Sequence, residues 1–203
     1  LYDEPLFQGQ NIKWGHRHFF LRDEFTDARQ CELKPEINRI LVTFGGADPN
    51  NLTAQVVELI APALRKSGVM LDVVTGPAYQ HQTEFRKMIT DQAHTNVEYT
   101  SATGVMSSIM ERAQIAITSN GRTVYELAHM NIPSIVLSHN SRESSHLFAR
   151  EENGFVNLGL FQGPQCLPKL KDTLTRLQSD TEWRINLHRS MSQFDFTKSR
   201  RVV

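Results

Sequence analysis

From residue 39 onward, short unbroken apolar runs alternate with stretches whose apolar residues recur every three or four positions. The runs at 40–44, 69–74, 114–118 and 133–137 predict strands buried on both faces, because a strand with one wet face would alternate. Shorter strands are predicted at 97–99 and 155–158. Between them, Leu52, Val56, Leu59, Ile60, Ala63 and Leu64 fall on one helical face, with Gly68 as the stop. Val105, Met106, Ile109, Met110 and Ala113 mark another helix, and polar helices are expected at 80–92 and 141–152. Leu167, Leu170, Leu174 and Leu177 stripe one late helix; Trp183, Leu187, Met191 and Phe194 stripe a second. Strands alternating with helices predict an α/β fold, a Rossmann-like parallel sheet with helices on both faces. Ligands of such sheets bind beyond the carboxyl ends of the strands. The turns at 45–50, 75–79, 101–104, 119–123 and 138–143 are therefore the places to look.

Residues 1–38 break this pattern. They carry Pro5, Phe7, Trp14, Phe19, Phe20 and Pro35 with no sustained period, and predict a connector arm with short turns leading into a domain at 39–203. The first residue is leucine rather than methionine, so the chain is expected to be a piece of a longer protein. The 203 residues balance 22 basic against 22 acidic side chains, which leaves no basic footprint for nucleic acid. No apolar run is long enough for a membrane span. Cys31 and Cys166 stand far apart and outside any CxxC spacing, so two free thiols in a cytoplasmic protein are expected.

The candidate chemistry sits in the turns. Ser119, Asn120, Gly121, Arg122 and Thr123 join a buried strand to a helix, placing backbone amides at a helix start with a cation beside them, a setting suited to a diphosphate. Glu126 shares a helix face with Thr123. It either accepts hydrogen bonds from a ribose diol or decorates the second helical turn. Gly45 and Gly46 let a ligand approach the main chain after the first strand. The turn has neither the GxGxxG spacing nor the lysine of a P-loop. Asp48 or Asn50 is expected to cap the next helix, with Asn50 favoured. His139 and His146 lack a third close ligand, which argues against a metal site, and no G-x-S-x-G elbow supports hydrolase chemistry of the serine type. Asn140, Arg142 and Glu143 either contact a sugar or diphosphate, or leave Arg142 paired with Glu143 or Glu151 on the surface. No cofactor is called for.

Phe44-Gly45-Gly46-Ala47-Asp48-Pro49, followed by Asn51-Leu52-Thr53, resembles the turn of the nucleotide-sugar hydrolases of pseudaminic acid synthesis and of the related spore-coat polysaccharide biosynthesis proteins. The run from Ile117 to Leu127, with Ile132-Pro133, is similar to their donor-binding turn, which the muramyl-lipid N-acetylglucosaminyltransferases share. Asn140, Arg142-Glu143, His146-Leu147-Phe148-Ala149 and Gly154 resemble the next segment, and Phe20-Leu21-Arg22-Asp23-Glu24-Phe25 the connector. The resemblance implies the C-terminal half of a two-domain GT-B fold that binds a UDP-sugar or similar nucleoside-diphosphate sugar. It implies that the parent protein hydrolyses or transfers the sugar in surface-polysaccharide or nonulosonic acid synthesis. It places the catalytic base in the other half, on a Gly-x-Gly-His-x-x-Arg turn for which Gly15-His16-Arg17 is no substitute, so the isolated chain is expected to be inactive. Gly45, Gly46, Asp48, Ser119, Asn120, Gly121, Arg122, Thr123, Glu126, Asn140, Arg142 and Glu143 become the expected donor-binding residues. A reading from another class is a non-catalytic nucleotide-sugar-binding or partner module fused to a sugar-activating enzyme.

Overall fold

The computed structural model describes residues 15–102 and 104–196; Pro5, Phe7 and Trp14 of the expected arm lie outside them. Six strands, β1 (Arg39–Thr43), β2 (Met70–Thr75), β3 (Val97–Ser101), β4 (Ile115–Thr118), β5 (Ser134–Ser138) and β6 (Phe155–Leu160), form one sheet in the order β3-β2-β1-β4-β5-β6. Every neighbouring pair is parallel. The helices are α1 (Leu52–Lys66), α2 (Gln82–Asp91), α3 (Met106–Met110), α4 (Thr123–His129), α5 (Ser141–Ser144), α6 (Leu167–Ser179) and α7 (Thr181–Met191). None of the described helices is long and apolar enough to cross a membrane.

The register explains the unbroken apolar runs. Val42 stands beside Val73 on one side and Ile117 on the other, and Ile117 stands beside Ile135. These four branched side chains make a continuous row in a core shared with Leu52, Val56 and Ile60 of α1, Phe85 of α2 and Leu170 and Leu174 of α6. One step along each strand, Leu41, Ala116 and Val136 turn the other way. They enter a second core with Met110, Val124, Tyr125, Leu127, Phe148 and Met191. Both faces are dry, so both strand registers are apolar. Each large aliphatic side chain so buried contributes roughly 1.5–3 kcal/mol.

Ile37 of the arm packs against the first core, while Phe19, Leu21, Phe25, Ala28 and Cys31 lie on the second. Leu21 and Phe25 are buried in it. Phe19 stacks on Tyr125 with ring centroids 4.2 Å apart, and the Cys31 amide donates to the Met130 carbonyl at 2.8 Å. Arg184 of α7 is only 1% exposed; it donates to the Leu177 carbonyl at 2.6 Å and to the Pro35 carbonyl at 2.8 Å. One cation thus satisfies the end of α6 and ties down the arm. Both cysteines are free thiols, and burial pushes Cys31 up to about 11.

The helix expected over 141–152 is corrected. Only α5 and a 3-10 turn, Glu151–Asn153, form there, with bends between. The carbonyls of Glu143 and His146, which a continued helix would offer to its own amides, receive the Asn120 side-chain amide at 2.9 and 3.0 Å. Phe148 and Ala149 then drop into the core while Leu147 stays exposed.

Candidate functional site

β1 and β4 are neighbours in the middle of the sheet, and the strand order reverses between them. The chain leaves β1 for α1, in one core, and leaves β4 for α4, in the other. A crevice opens between the two departing turns, as the topology requires. It holds a cleft of ≈ 450 Å³ lined by the Gly45–Asp48 stretch, Ser119, Gly121, Arg122, Thr123, His139, Asn140 and Glu143. A second hollow of ≈ 200 Å³ shares Gly45, Gly46 and Thr123 with the first and extends past Thr43, Thr75, Gly76 and Met106 to Arg22 and Glu126.

Two turns furnish backbone donors. Gly45 has φ 80, a left-handed conformation that glycine takes without strain. Its carbonyl accepts the Gly76 amide at 3.2 Å, and the Gly46 carbonyl accepts the Ala78 amide at 3.1 Å. With those carbonyls turned away, the Gly45, Gly46 and Ala47 amides have no protein acceptor among the described residues. The contact needs glycine on the other side too, since a Cβ at Gly76 would fall onto the Gly46 backbone. In the second turn the Gly121, Arg122 and Thr123 amides likewise lack an acceptor among the described residues, and no side chain caps α4. α4 has seven residues, so the donor strength of this turn rests on its amides more than on a macrodipole. Successive bare amides of this kind make an anion-binding concavity. Arg122 is exposed beside them, 5.5 Å above the Phe19 ring, and has no carboxylate partner among the described residues.

Several of the expected ligand contacts also carry hydrogen bonds that hold the protein's own backbone. Asp48, not Asn50, caps α1: its two carboxylate oxygens accept the Leu52 and Thr53 amides at 2.8 Å each, and the residue is 2% exposed. Both oxygens are spent on helix amides, so Asp48 supports the cleft wall from behind. Asn50 instead donates to the His139 carbonyl at 3.0 Å. Asn120 is fully buried beneath the turn; it bridges to the Glu143 and His146 carbonyls, while its own carbonyl accepts from His146 Nδ1 at 2.7 Å. It has no exposed surface and is not part of the cleft lining. Asn140 and Glu143 form a capping pair at α5: Asn140 Oδ1 accepts the Glu143 amide at 3.0 Å, and Glu143 Oε2 accepts the His139 amide at 2.8 Å. Both still border the cleft. Arg142 is exposed on α5 outside the cleft lining, paired with neither Glu143 nor Glu151 among the described ion pairs. Ser138, at the start of that loop, is fully buried.

Two residues outside the expected set also belong to the site. The His139 ring lies in the cleft wall, with Nε2 donating to the Phe44 carbonyl at 3.2 Å and Nδ1 3.4 Å from the Asn50 amide nitrogen. Among the described residues no group of three acidic, histidine or cysteine side chains is placed to hold a metal. Arg22, from the arm, reaches Glu126: its Nε and Nη2 donate to Oε1 at 3.2 and 3.1 Å. Burial raises the Glu126 pKa above its ordinary 4.5, and Arg22 opposes that rise. The mixed charges of Arg22, Asp23 and Glu24 were the available signal for an arm that does more than connect.

A model of the glycosyltransferase family 28 C-terminal domain matches residues 39–153. The spore coat polysaccharide biosynthesis protein SpsG of Bacillus subtilis is 28% identical over 182 residues, covering 86% of this chain and 51% of that protein. An uncharacterized protein of Methanocaldococcus jannaschii is 30% identical over 132 residues, covering 63% of this chain and 27% of that protein. The match thus spans about half, or less, of these relatives. Among solved structures, the pneumococcal O-GlcNAc transferase GtfA in complex with UDP and GlcNAc is similar with a TM-score of 0.59 at 12% identity, covering 85% of this chain and 36% of that one. The fold is that of the Rossmann-like C-terminal domain of GT-B glycosyltransferases.

Proposed function

The chain belongs to the glycosyltransferase family 28 C-terminal domain family, and on that premise we propose that it is the donor-binding part of an enzyme acting on a nucleoside-diphosphate sugar. The observation that carries this reading is the crevice at the strand-order reversal, where two turns bring to one cleft amides that have no acceptor among the described residues, beside Arg122, which has no carboxylate partner among them. In this reading the diphosphate lies against the Gly121, Arg122 and Thr123 amides, Gly45 and Gly46 form the cleft floor, and Glu126 accepts the ribose hydroxyls from the adjoining hollow. The rim at Asn140 and Glu143 faces the sugar. Arg122 and the amides stabilise charge gathering on the departing diphosphate, the electrostatic share of catalysis. The base that activates water or an acceptor comes from an N-terminal domain of the same protein, as the partial coverage of the relatives suggests. The reading extends to a cytoplasmic role in polysaccharide or nonulosonic acid synthesis, in keeping with the spore-coat relative, by hydrolysis or by transfer. Product analysis with and without acceptor separates those two.

The test is calorimetric titration with UDP, CDP, GDP and ADP. At least one binds, and Glu126→Ala weakens it by about tenfold or more, since a hydrogen bond to a charged group contributes about 1.5–3 kcal/mol. Unchanged affinity in the variant removes Glu126 from the site.

A further inference from the structure

Arg22 lies 104 residues upstream of Glu126, yet two of its nitrogens converge on one carboxylate oxygen, Oε1. Its Nη1 meets Glu24 Oε1 at 2.6 Å. The other Glu24 oxygen accepts the Ser107 amide in α3 at 2.9 Å. The guanidinium is therefore held in place by the arm and by α3 before it touches α4. Glu126 keeps only 12% of its side chain exposed, and that part borders the smaller hollow together with Arg22. Its second oxygen, Oε2, has no hydrogen bond among the described residues. Among the described residues, then, one oxygen accepts two hydrogen bonds and its twin accepts none, beside a pocket. The charged groups facing this carboxylate are Arg22 and Glu24 from the arm and Arg122 from its own turn; α3 brings the apolar Met106.

We propose that Arg22 is a positioning residue for ribose recognition. By occupying Oε1 it fixes the plane of the Glu126 carboxylate and leaves Oε2 as the acceptor for a sugar hydroxyl. Selection of a ribonucleotide over its deoxy form is then made jointly by α4 and the arm. The inference rests on the nucleoside-diphosphate reading above and adds the residue that sets its sugar preference.

The experiment measures affinities of the full-length protein for the best binder among UDP, CDP, GDP and ADP and for its 2′,3′-dideoxy form. The wild type prefers the ribose form by about tenfold or more. Arg22→Met brings that ratio towards one while the dideoxy affinity holds, and Arg22→Lys retains part of the preference. A merely structural loss would weaken both ligands together, leaving the ratio intact, and would overturn the proposal. Tighter ribonucleotide binding by Arg22→Met would also overturn it, because Arg22 would then be blocking the hollow rather than shaping it. Glu126→Gln separates the two levels of the argument. If it leaves the ratio unchanged, or if no nucleotide binds, the ribose reading fails and this inference with it. If it abolishes the ratio and Arg22→Met does not, the inference alone is wrong. Should Arg22→Met not fold, Arg22→Lys supplies the same ratio, and an unaltered value there overturns the proposal.

Discussion

At the amino ends of the strands, Arg39, Asp72, Glu98 and Arg112 close on one another. At the carboxyl ends, Arg122 and a row of amides border the cleft without a carboxylate or carbonyl partner among the described residues. In the first region Asp72 Oδ1 takes Arg39 at 2.9 Å and also Arg112, while both Glu98 oxygens take Arg39 at 2.9 and 3.0 Å. Asp72 is 1% exposed, and burial raises its pKa despite the guanidinium beside it. For the half-exposed Glu98 the same guanidinium prevails and lowers the pKa. In the second region the cation is exposed and solvated, and its neighbouring amides hold their donor capacity in reserve. Paired charge steadies a sheet edge, although Asp72 Oδ2 stays buried without a hydrogen-bond partner among the described residues; unsaturated donors leave free energy available for an anion.

The comparison breaks if the two edges prove interdependent. Arg39→Met removes one of the two cations bonded to the buried Asp72 and is expected to lower unfolding stability by about 1–3 kcal/mol in urea titration. Nucleotide affinity should stay as it was; a parallel fall would mean that the edges communicate. Gly76→Ala strikes the second edge by steric means. Its methyl group must displace the Gly46 backbone, at a cost of about 1–3 kcal/mol, and affinity for nucleoside diphosphate should drop with it. Arg122→Met sharpens the contrast: stability should shift by less than about 0.5 kcal/mol, while diphosphate binding weakens and becomes less sensitive to salt. A nucleoside without phosphates should bind the variant as it binds the wild type. The smallest effect concerns pH. Between the ordinary Glu126 value of 4.5 and its raised folded value, the native chain keeps a proton that the unfolded chain releases. Stability therefore falls as pH rises across that window. Glu126→Gln should flatten this slope in melts followed by circular dichroism, and an unaltered slope would assign it to another group, Asp72 first.

Much of this architecture was legible from periodicity. The paired registers of Val42, Ile117 and Ile135 against Leu41, Ala116 and Val136 are two dry faces written as one apolar run. The glycine turns were legible because backbone approach and left-handed φ demand that residue. The partition of polar residues in the site was not. Asp48 and Asn50 are both sound caps by type, and the choice fell to Asp48 because its carboxylate meets two amides at once. Asn120 looked like a ligand contact from its place in the turn, yet its job is fixed by carbonyls more than twenty residues downstream. Arg22 and Glu126 meet across a separation that no local spacing encodes. The truncation of the helix at α5 has the same origin, a distant amide claiming its carbonyls.

Arg184 carries a practical lesson about where to cut. The family match starts at residue 39, but a fragment trimmed there would strip Pro35 from a buried guanidinium and empty the socket filled by Phe25. The matched segment and the second core do not begin at the same residue in this molecule. Anyone shortening the polypeptide for crystallisation or display should begin upstream of Phe19, so that the aromatic lid on Tyr125 travels with the fragment.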